Sequence, residues 1–200
     1  MRRVFFIMVI VSFALVISAK GSVPNGKLIL DKTAALVANK GGATASFSMS
    51  GKYGSSKGTL SVKGNKFYVT TQQVIVWNNG KTQWTYNREA EEVNVSKSGE
   101  GEQTLNPYAF VSIYKKGFNI TSKNIRGKYE VHLVAQNKSR SIQEMYITVN
   151  KQYQPTQVKI RSSKGWTSIF ISNFRTKSLA DSTFEFKSSD FPHAEVIDLR

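Results

Sequence analysis

The feature that most constrains this chain is a two-residue alternation of apolar and polar side chains that returns again and again after residue 45. Ser46-Phe47-Ser48-Met49-Ser50 alternates strictly, Leu60 and Val62 alternate with Ser61 and Lys63, and Phe67 and Val69 follow the turn at Gly64-Asn65. Side chains two apart share one face of a strand, so residues 58–71 are expected to form a hairpin. Val74-Ile75-Val76-Trp77, the turn Asn78-Asn79-Gly80-Lys81, and then Trp84 and Tyr86 alternating with Gln83 and Thr85 predict the next pair. The theme continues at Tyr129/Val131/Leu133, Met145/Ile147/Val149, Val158/Ile160, Ile169/Ile171 and Phe184/Phe186. Turn residues recur roughly every 8–12 positions, which predicts one meandering antiparallel sheet of up to about 10 or 11 strands. Strands twist, so a sheet this long coils toward a barrel.

Two segments break the period. Residues 25–39 carry Leu28, Leu36 and Val37 among Ala and Lys and stop at Gly41-Gly42, which predicts an N-terminal helix. An isolated helix of that length is marginal, so its apolar face must be covered. Near mid-chain, Asn106-Pro107 suits an N-cap with proline at the first helical position. Phe110, Ile113 and Tyr114 then have the spacing of a short helix ending at Gly117. A coiled sheet with apolar helices at its mouth is a container, and the functional reading rests on that inference.

The N-terminus reads as an export signal. Met1-Arg2-Arg3 precedes an apolar run from Val4 to Ile17, followed by the small or weakly polar Ser18-Ala19-Lys20-Gly21-Ser22. The run is shorter than the roughly 18–20 residues that span a bilayer, so cleavage is expected rather than anchoring. Residues 1–21 are thus expected to be a cleaved signal peptide and 22–200 a single domain. The chain has no cysteine, which excludes a disulfide scaffold, thiol catalysis and an acylated N-terminal Cys. Its formal net charge of +15 falls to about +12 or +13 on processing.

Catalytic chemistry finds little footing. His132 lies in a strand pattern and His193 near the C-terminus, too sparse for a metal site, and no HExxH, GxSxG, P-loop or GxGxxG spacing occurs. Glu89, Glu91, Glu92, Glu100 and Glu102 crowd into one hairpin with Lys, Ser and Gly, as a solvated turn would. No enzyme activity, cofactor or metal is therefore expected. Lys115, Lys116, Lys123, Arg126 and Lys128 follow one another without an acid. Nucleic-acid modules pair such patches with exposed aromatics, whereas most aromatics here occupy apolar strand phases, so nucleic acid is not the expected partner. The alternatives are a solvated surface or a docking face for anionic lipid or an acidic partner.

Several motifs resemble one family. Gly58-Thr59-Leu60-Ser61-Val62-Lys63-Gly64-Asn65-Lys66-Phe67 is similar to the G-x-L-x-V-K-x-P-x-x-F hairpin of the periplasmic lipoprotein carriers of the LolA family. Asn79-Gly80-Lys81-Thr82-Gln83-Trp84-Thr85-Tyr86-Asn87 resembles that family's D-G-K-x-x-W-x-Y-x strand. Glu91-Glu92-Val93, Asn106-Pro107, and Phe184-Glu185-Phe186 with Pro192 and Glu195-Val196-Ile197-Asp198 follow in the family's order. The resemblance implies a mainly β fold with lid helices (α+β): an incomplete, unclosed antiparallel barrel of about 11 strands covered by an N-terminal and a central helix, enclosing an apolar cavity. It further implies a monomeric periplasmic carrier that receives lipoprotein acyl chains. An inner-membrane lipoprotein-releasing ABC transporter would load it, an outer-membrane acceptor would unload it, and its contact with membranes would be transient.

Phe47, Met49, Leu60, Val62, Phe67, Val69, Trp84, Tyr86, Phe110, Ile113, Met145, Ile147, Val158 and Ile160 are the candidate cavity or helix-packing surface. One departure bears on the lid. The family hairpin carries an arginine after Val-Lys that bonds to the helical lid, whereas Gly64-Asn65 follows Val62-Lys63 here. Lys63 or Lys66 would have to substitute without the planar donor fork. The competing readings are a related fold holding glycolipid or phospholipid, a sensor of mislocalised lipoprotein, and a secreted structural or adhesion β-protein with a filled core.

Overall fold

The computed structural model describes residues 23–52, 54–99 and 113–200. The signal-peptide expectation, Phe110 and the proposed start of the central helix lie outside them. Among the described residues twelve strands form a single sheet, one more than the approximate count expected. In chain order they are β1 (Ala43–Gly51), β2 (Gly54–Lys63), β3 (Lys66–Thr71), β4 (Val74–Asn78), β5 (Thr82–Asn87), β6 (Glu92–Lys97), β7 (Phe118–Ile125), β8 (Lys128–Ala135), β9 (Ile142–Val149), β10 (Pro155–Ser162), β11 (Gly165–Thr176) and β12 (Glu195–Asp198). They lie side by side as β12-β6-β5-β4-β3-β2-β1-β11-β10-β9-β8-β7. Apart from β6/β7 and β11/β12, neighbours in the chain pair as hairpins, and β1 closes the long return against β11. The two edge strands, β7 and β12, do not pair with each other, so the sheet stays open. One pairing departs from the antiparallel expectation: β12 runs parallel to β6.

The helix α1 (Gly26–Val37) forms where its signals predict. Asn25 caps it by accepting the Lys27 N–H, satisfying one of the donors that the first turn leaves open. Gly26 lets it sit close on the sheet: a Cβ there would lie 2.8 Å from Ile120 Cγ2 and 3.1 Å from Val131 Cγ1. Ile29 and Leu30 bury against Val131, Leu133, Met145, Ile147, Val149, Val158 and Ile160. That covering is what a helix this short requires.

Pairing register carries one apolar face across the sheet. Val131 opposes Ile147, Ile147 opposes Val158, Val158 opposes Ile169 and Ile169 opposes Met49. Farther on, Leu60 opposes Val69, and Val69 opposes Val76. This is the face on which α1 lies. Its burial forms two clusters, one under α1 on β8–β10 and a second made of Val37, Ala43, Val62, Phe67, Val69 and Val76.

The C-terminal segment corrects the expectation of a strand at Phe184/Phe186. Asp181–Phe184 forms a 3₁₀ turn, as does Ser188–Asp190, and Phe186 lies between them outside any strand. Phe184 is fully buried. The segment crosses the outer face of β3–β5, where Trp77 meets Phe186 and Phe191 at 5.5 and 5.4 Å and Tyr86 meets Phe191 at 4.7 Å.

Candidate functional site

Between the two core clusters the packing is incomplete. A hollow of about 130 Å³ lies there. Its walls are Leu30, Thr33 and Val37 of α1, then Ala43–Ala45, Phe47 and Met49 of β1, Leu60 and Val62 of β2 and Val69 of β3. Ile147, Pro155, Val158, Ile169, Ile171 and Phe174 complete it from the other side. The phase rule explains the set: Phe47 and Met49, Leu60 and Val62, and Ile169 and Ile171 are each two apart, so each pair points to one face. Burial deepens along the hollow, from half-buried Met49 and Leu60 to Ala43 and Val62 at 1% and 3% exposure.

The wall's two threonines are Thr33 and Thr44, and the helix threonine is already bonded. Thr33, the polar side chain of α1 in the wall, donates its hydroxyl to Ile29 O and Tyr153 O, both at 3.0 Å. Among the described residues no buried side-chain nitrogen or oxygen lacks a partner. A polar ligand would therefore lose its water without finding replacement bonds, whereas an apolar one loses nothing.

Seven of the sequence candidates stand in this wall: Phe47, Met49, Leu60, Val62, Val69, Ile147 and Val158. Phe67, Met145 and Ile160 share the same face but sit in the packed clusters, at 1%, 0% and 9% exposure, with no free surface toward the hollow. Ile113 lies in a 3₁₀ turn (Ile113–Lys115) and packs against the cluster under α1. Trp84 and Tyr86 are on the other side of the sheet. Their register partners, Trp77 and Ile75, alternate with Val76, and the C-terminal phenylalanines cover that outer face. Leu30, Val37 and Phe174 were missed as cavity wall. Helix periodicity marks Leu30 and Val37 as apolar, while Phe174 follows a β-bulge that shifts its phase.

The helix is latched without an arginine. Tyr114 donates its hydroxyl to Asp31 at 2.6 Å, Lys32 donates to the Tyr153 hydroxyl at 3.2 Å, and Thr33 binds the Tyr153 carbonyl. The Tyr114 hydroxyl, followed by Lys27, holds the Asp31 carboxyl below its ordinary range. Tyr153 sits in the left-handed region at φ 60°, a conformation kept by its stack on Tyr129 at 5.8 Å and by its contacts to the helix. Lys63 and Lys66, the two positions that could have replaced the family arginine, instead hold the C-terminal segment. Lys63 Nζ binds Leu179 O and Asp181, both at 2.8 Å, and Lys66 Nζ lies 3.1 Å from Asp181.

The five cations of the expected docking face do not form one patch. Lys115 and Lys116 precede β7, while Arg126 and Lys128 lie beyond its far end, separated by a strand of about 26 Å. Lys123, on β7, pairs with Glu130 at 3.2 Å. His132 stacks on Tyr146 with ring centres 4.3 Å apart and bonds Glu144 at 2.8 Å on the outer face. Glu89, Glu91 and Glu92 lie at the β5–β6 turn as expected, and Glu100 and Glu102 are outside the described residues. Among the described residues no three His, Asp or Glu side chains converge on a metal-sized space.

An open sheet wrapped on a helix around an apolar hollow defines a class of container-like β-proteins. The family model for the outer membrane lipoprotein carrier protein LolA matches residues 15–164, and the chain belongs to that family. No curated protein matches it. Among solved structures, an uncharacterized conserved protein from Thermus thermophilus shares the fold, with TM-score 0.59 and 11% identity over 86% of this chain and 98% of that one. A LolA superfamily protein, NE2245 from Nitrosomonas europaea, aligns with TM-score 0.44 and 10% identity over 82% of this chain and 99% of its own. The Mycobacterium tuberculosis lipoprotein LppX aligns with TM-score 0.42 and 11% identity over 77% and 98%.

Proposed function

We propose that this chain is an exported, monomeric carrier that takes lipoprotein acyl chains into the hollow and moves them from the inner to the outer membrane. In this reading residues 1–21 are removed on export to the periplasm, an inner-membrane lipoprotein-releasing ABC transporter is the donor and an outer-membrane protein the acceptor. The observation that carries it is the wall itself: almost wholly apolar, with the helix threonine Thr33 already bonded. Burying acyl chain contributes roughly 0.8 kcal/mol per CH₂, so full enclosure of several chains would hold cargo too tightly to release. A hollow that is open along half-buried Met49 and Leu60 covers chains only in part, which suits transfer between a donor and an acceptor.

Mass spectrometry of lipid extracted from the protein purified from its own envelope tests this. Diacyl- or triacyl-polypeptide is the expected cargo; free phospholipid or glycolipid would replace it with the rival fold relative. A buried charge at Phe67 would break the packed cluster rather than probe the hollow, so the informative substitution is Met49→Glu. It is expected to reduce co-purifying acylated polypeptide at least about tenfold while the thermal transition persists. Undiminished cargo in Met49→Glu would place binding elsewhere.

A further inference from the structure

Cations stand at both ends of the sheet, and at one end an exposed tryptophan joins them. At the end where β1 stops and β11 starts, the connections next to β1, β11, β10, β9, β8 and β7 carry Lys52, Lys115, Lys116, Lys138, Arg140 and Lys164 and, among the described residues, no Asp or Glu. The acids beside these cations are engaged: Glu144 on β9 by His132 at 2.8 Å and Arg161 at 3.2 Å, and Asp31 on α1, which also feels Lys115, by Tyr114 and Lys27. Six strands spaced about 4.8 Å apart spread these cations over roughly 24 Å. Trp166, the second residue of β11, stands 40% exposed on the same rim, with Lys159 Nζ 5.4 Å from its ring centre. Along the same rim, at the β5–β6 turn and the start of β12, lie Glu89, Glu91, Glu92 and Glu195.

We propose that this basic rim docks the protein on an anionic phospholipid surface, with Trp166 seated at headgroup depth. The inference rests on the carrier reading, which requires the protein to meet membranes at loading and delivery. Cations spread in a row with one amphipathic aromatic match a bilayer interface, where lysines and arginines meet lipid phosphates and tryptophan sits between water and hydrocarbon. A protein partner would favour an apolar patch centre depleted of charge, and six cations around one indole are the reverse. The hollow supports the same orientation. Met49 and its register partner Ile169 are its half-buried wall residues closest to this rim, and burial increases away from it. Docking here turns the open side of the hollow toward the bilayer.

The test is sedimentation of the secreted, processed chain with vesicles of phosphatidylcholine alone or with 30% phosphatidylglycerol (about 0.1 M salt, where the screening length is about 10 Å). Binding is expected only to the anionic vesicles and to weaken as salt rises. Replacing Lys115, Lys116, Lys138 and Lys164 by Gln is expected to weaken it about 30-fold or more. The same loss of charge at exposed Lys81, Lys97, Lys151 and Lys187, away from this rim, should weaken it only about threefold. Trp166→Phe should abolish the blue shift of tryptophan emission on binding. Equal losses in the two charge sets, or no binding to anionic vesicles, would overturn the rim as a lipid-docking site and leave an acidic protein as its partner. Vesicle binding depends on neither cargo nor its extraction, so acylated cargo without vesicle binding overturns the rim alone. Rim binding in a protein that never carries acyl chains overturns the carrier reading alone.

Discussion

Gly58 opposes Phe47 in the β1–β2 pairing, and a Cβ at that position would sit 2.2 Å from Thr70 O and 2.9 Å from the Phe47 ring. A wall ring of the hollow thus lies across a position where only a hydrogen leaves room. Gly58→Ala must push apart backbone and ring, and it is expected to destabilise the protein by about 1–3 kcal/mol, read as a lower Tm. An unchanged Tm would show that the β2–β3 pairing yields there at no cost. The same scale explains which residues were misassigned. Alternation groups Trp84 with Tyr86 and Phe47 with Met49, but it does not say which side of the sheet a group occupies. On β4, Ile75, Val76, Trp77 and Asn78 are all buried, so both faces are covered and hydrophobicity cannot separate them. What separates them is a segment about 100 residues later in the chain, and no local period encodes that.

Among the elements, α1 and the hairpins were legible because each carries its own local signals: the Asn25 cap, the Gly64-Asn65 and Asn79-Gly80 turns, and unbroken alternation. The C-terminal stretch was not. Phe184-Glu185-Phe186 has strand alternation, yet three residues are too few to outweigh Asp181, which Lys63 and Lys66 draw into a 3₁₀ turn over β3. With Phe184 fully buried, Phe184→Ala is expected to cost about 3–5 kcal/mol. It should also red-shift Trp77 emission as Phe186 and Phe191 leave its ring. If the emission stays, the segment is held by its lysine contacts and not by the phenylalanine. The latch of α1 responds to pH in a defined direction. The Asp31 carboxyl lies below its ordinary value of 3.8, through the Tyr114 hydroxyl first and Lys27 second. A depressed carboxyl contributes stability that is complete above that ordinary value and lost as pH falls through the lower folded one. The protection of the α1 amides against hydrogen exchange, relative to their intrinsic rates, is therefore expected to fall below about pH 4. In Asp31→Asn the acid-dependent part should vanish, and an identical acid response in that variant would move the latch to another carboxyl.

At the scale of the molecule, the hollow exists because the sheet bridges two separately packed clusters and closes on neither side. The cluster under α1 fills β8–β10, the second fills β2–β4 with Ala43 of β1, and β1 and β11 span the interval with wall residues that, Ala43 apart, are only half-buried. The edges explain why the barrel stays open. β12 is four residues long and presents Glu195 and Asp198, and β7 presents Lys123, so neither offers a flat apolar strand for the other to join. The apolar hollow also implies a linkage. On the carrier reading proposed above, an acyl chain packs against the half-buried wall only in the folded state. A ligand bound to the native state alone stabilises it by about 2.7 kcal/mol at a free concentration 100 times its Kd. A diacylated lipopeptide is therefore expected to raise Tm in proportion to the logarithm of its concentration, and the unacylated peptide to leave it unchanged. Met49→Glu should abolish the shift, while charge removal at Lys115, Lys116, Lys138 and Lys164 should leave it intact, if the rim meets headgroups and the wall meets chains as proposed. If the rim variant lost the thermal shift as well, wall and rim would have to be one site. The division between holding cargo and finding membranes would then fall.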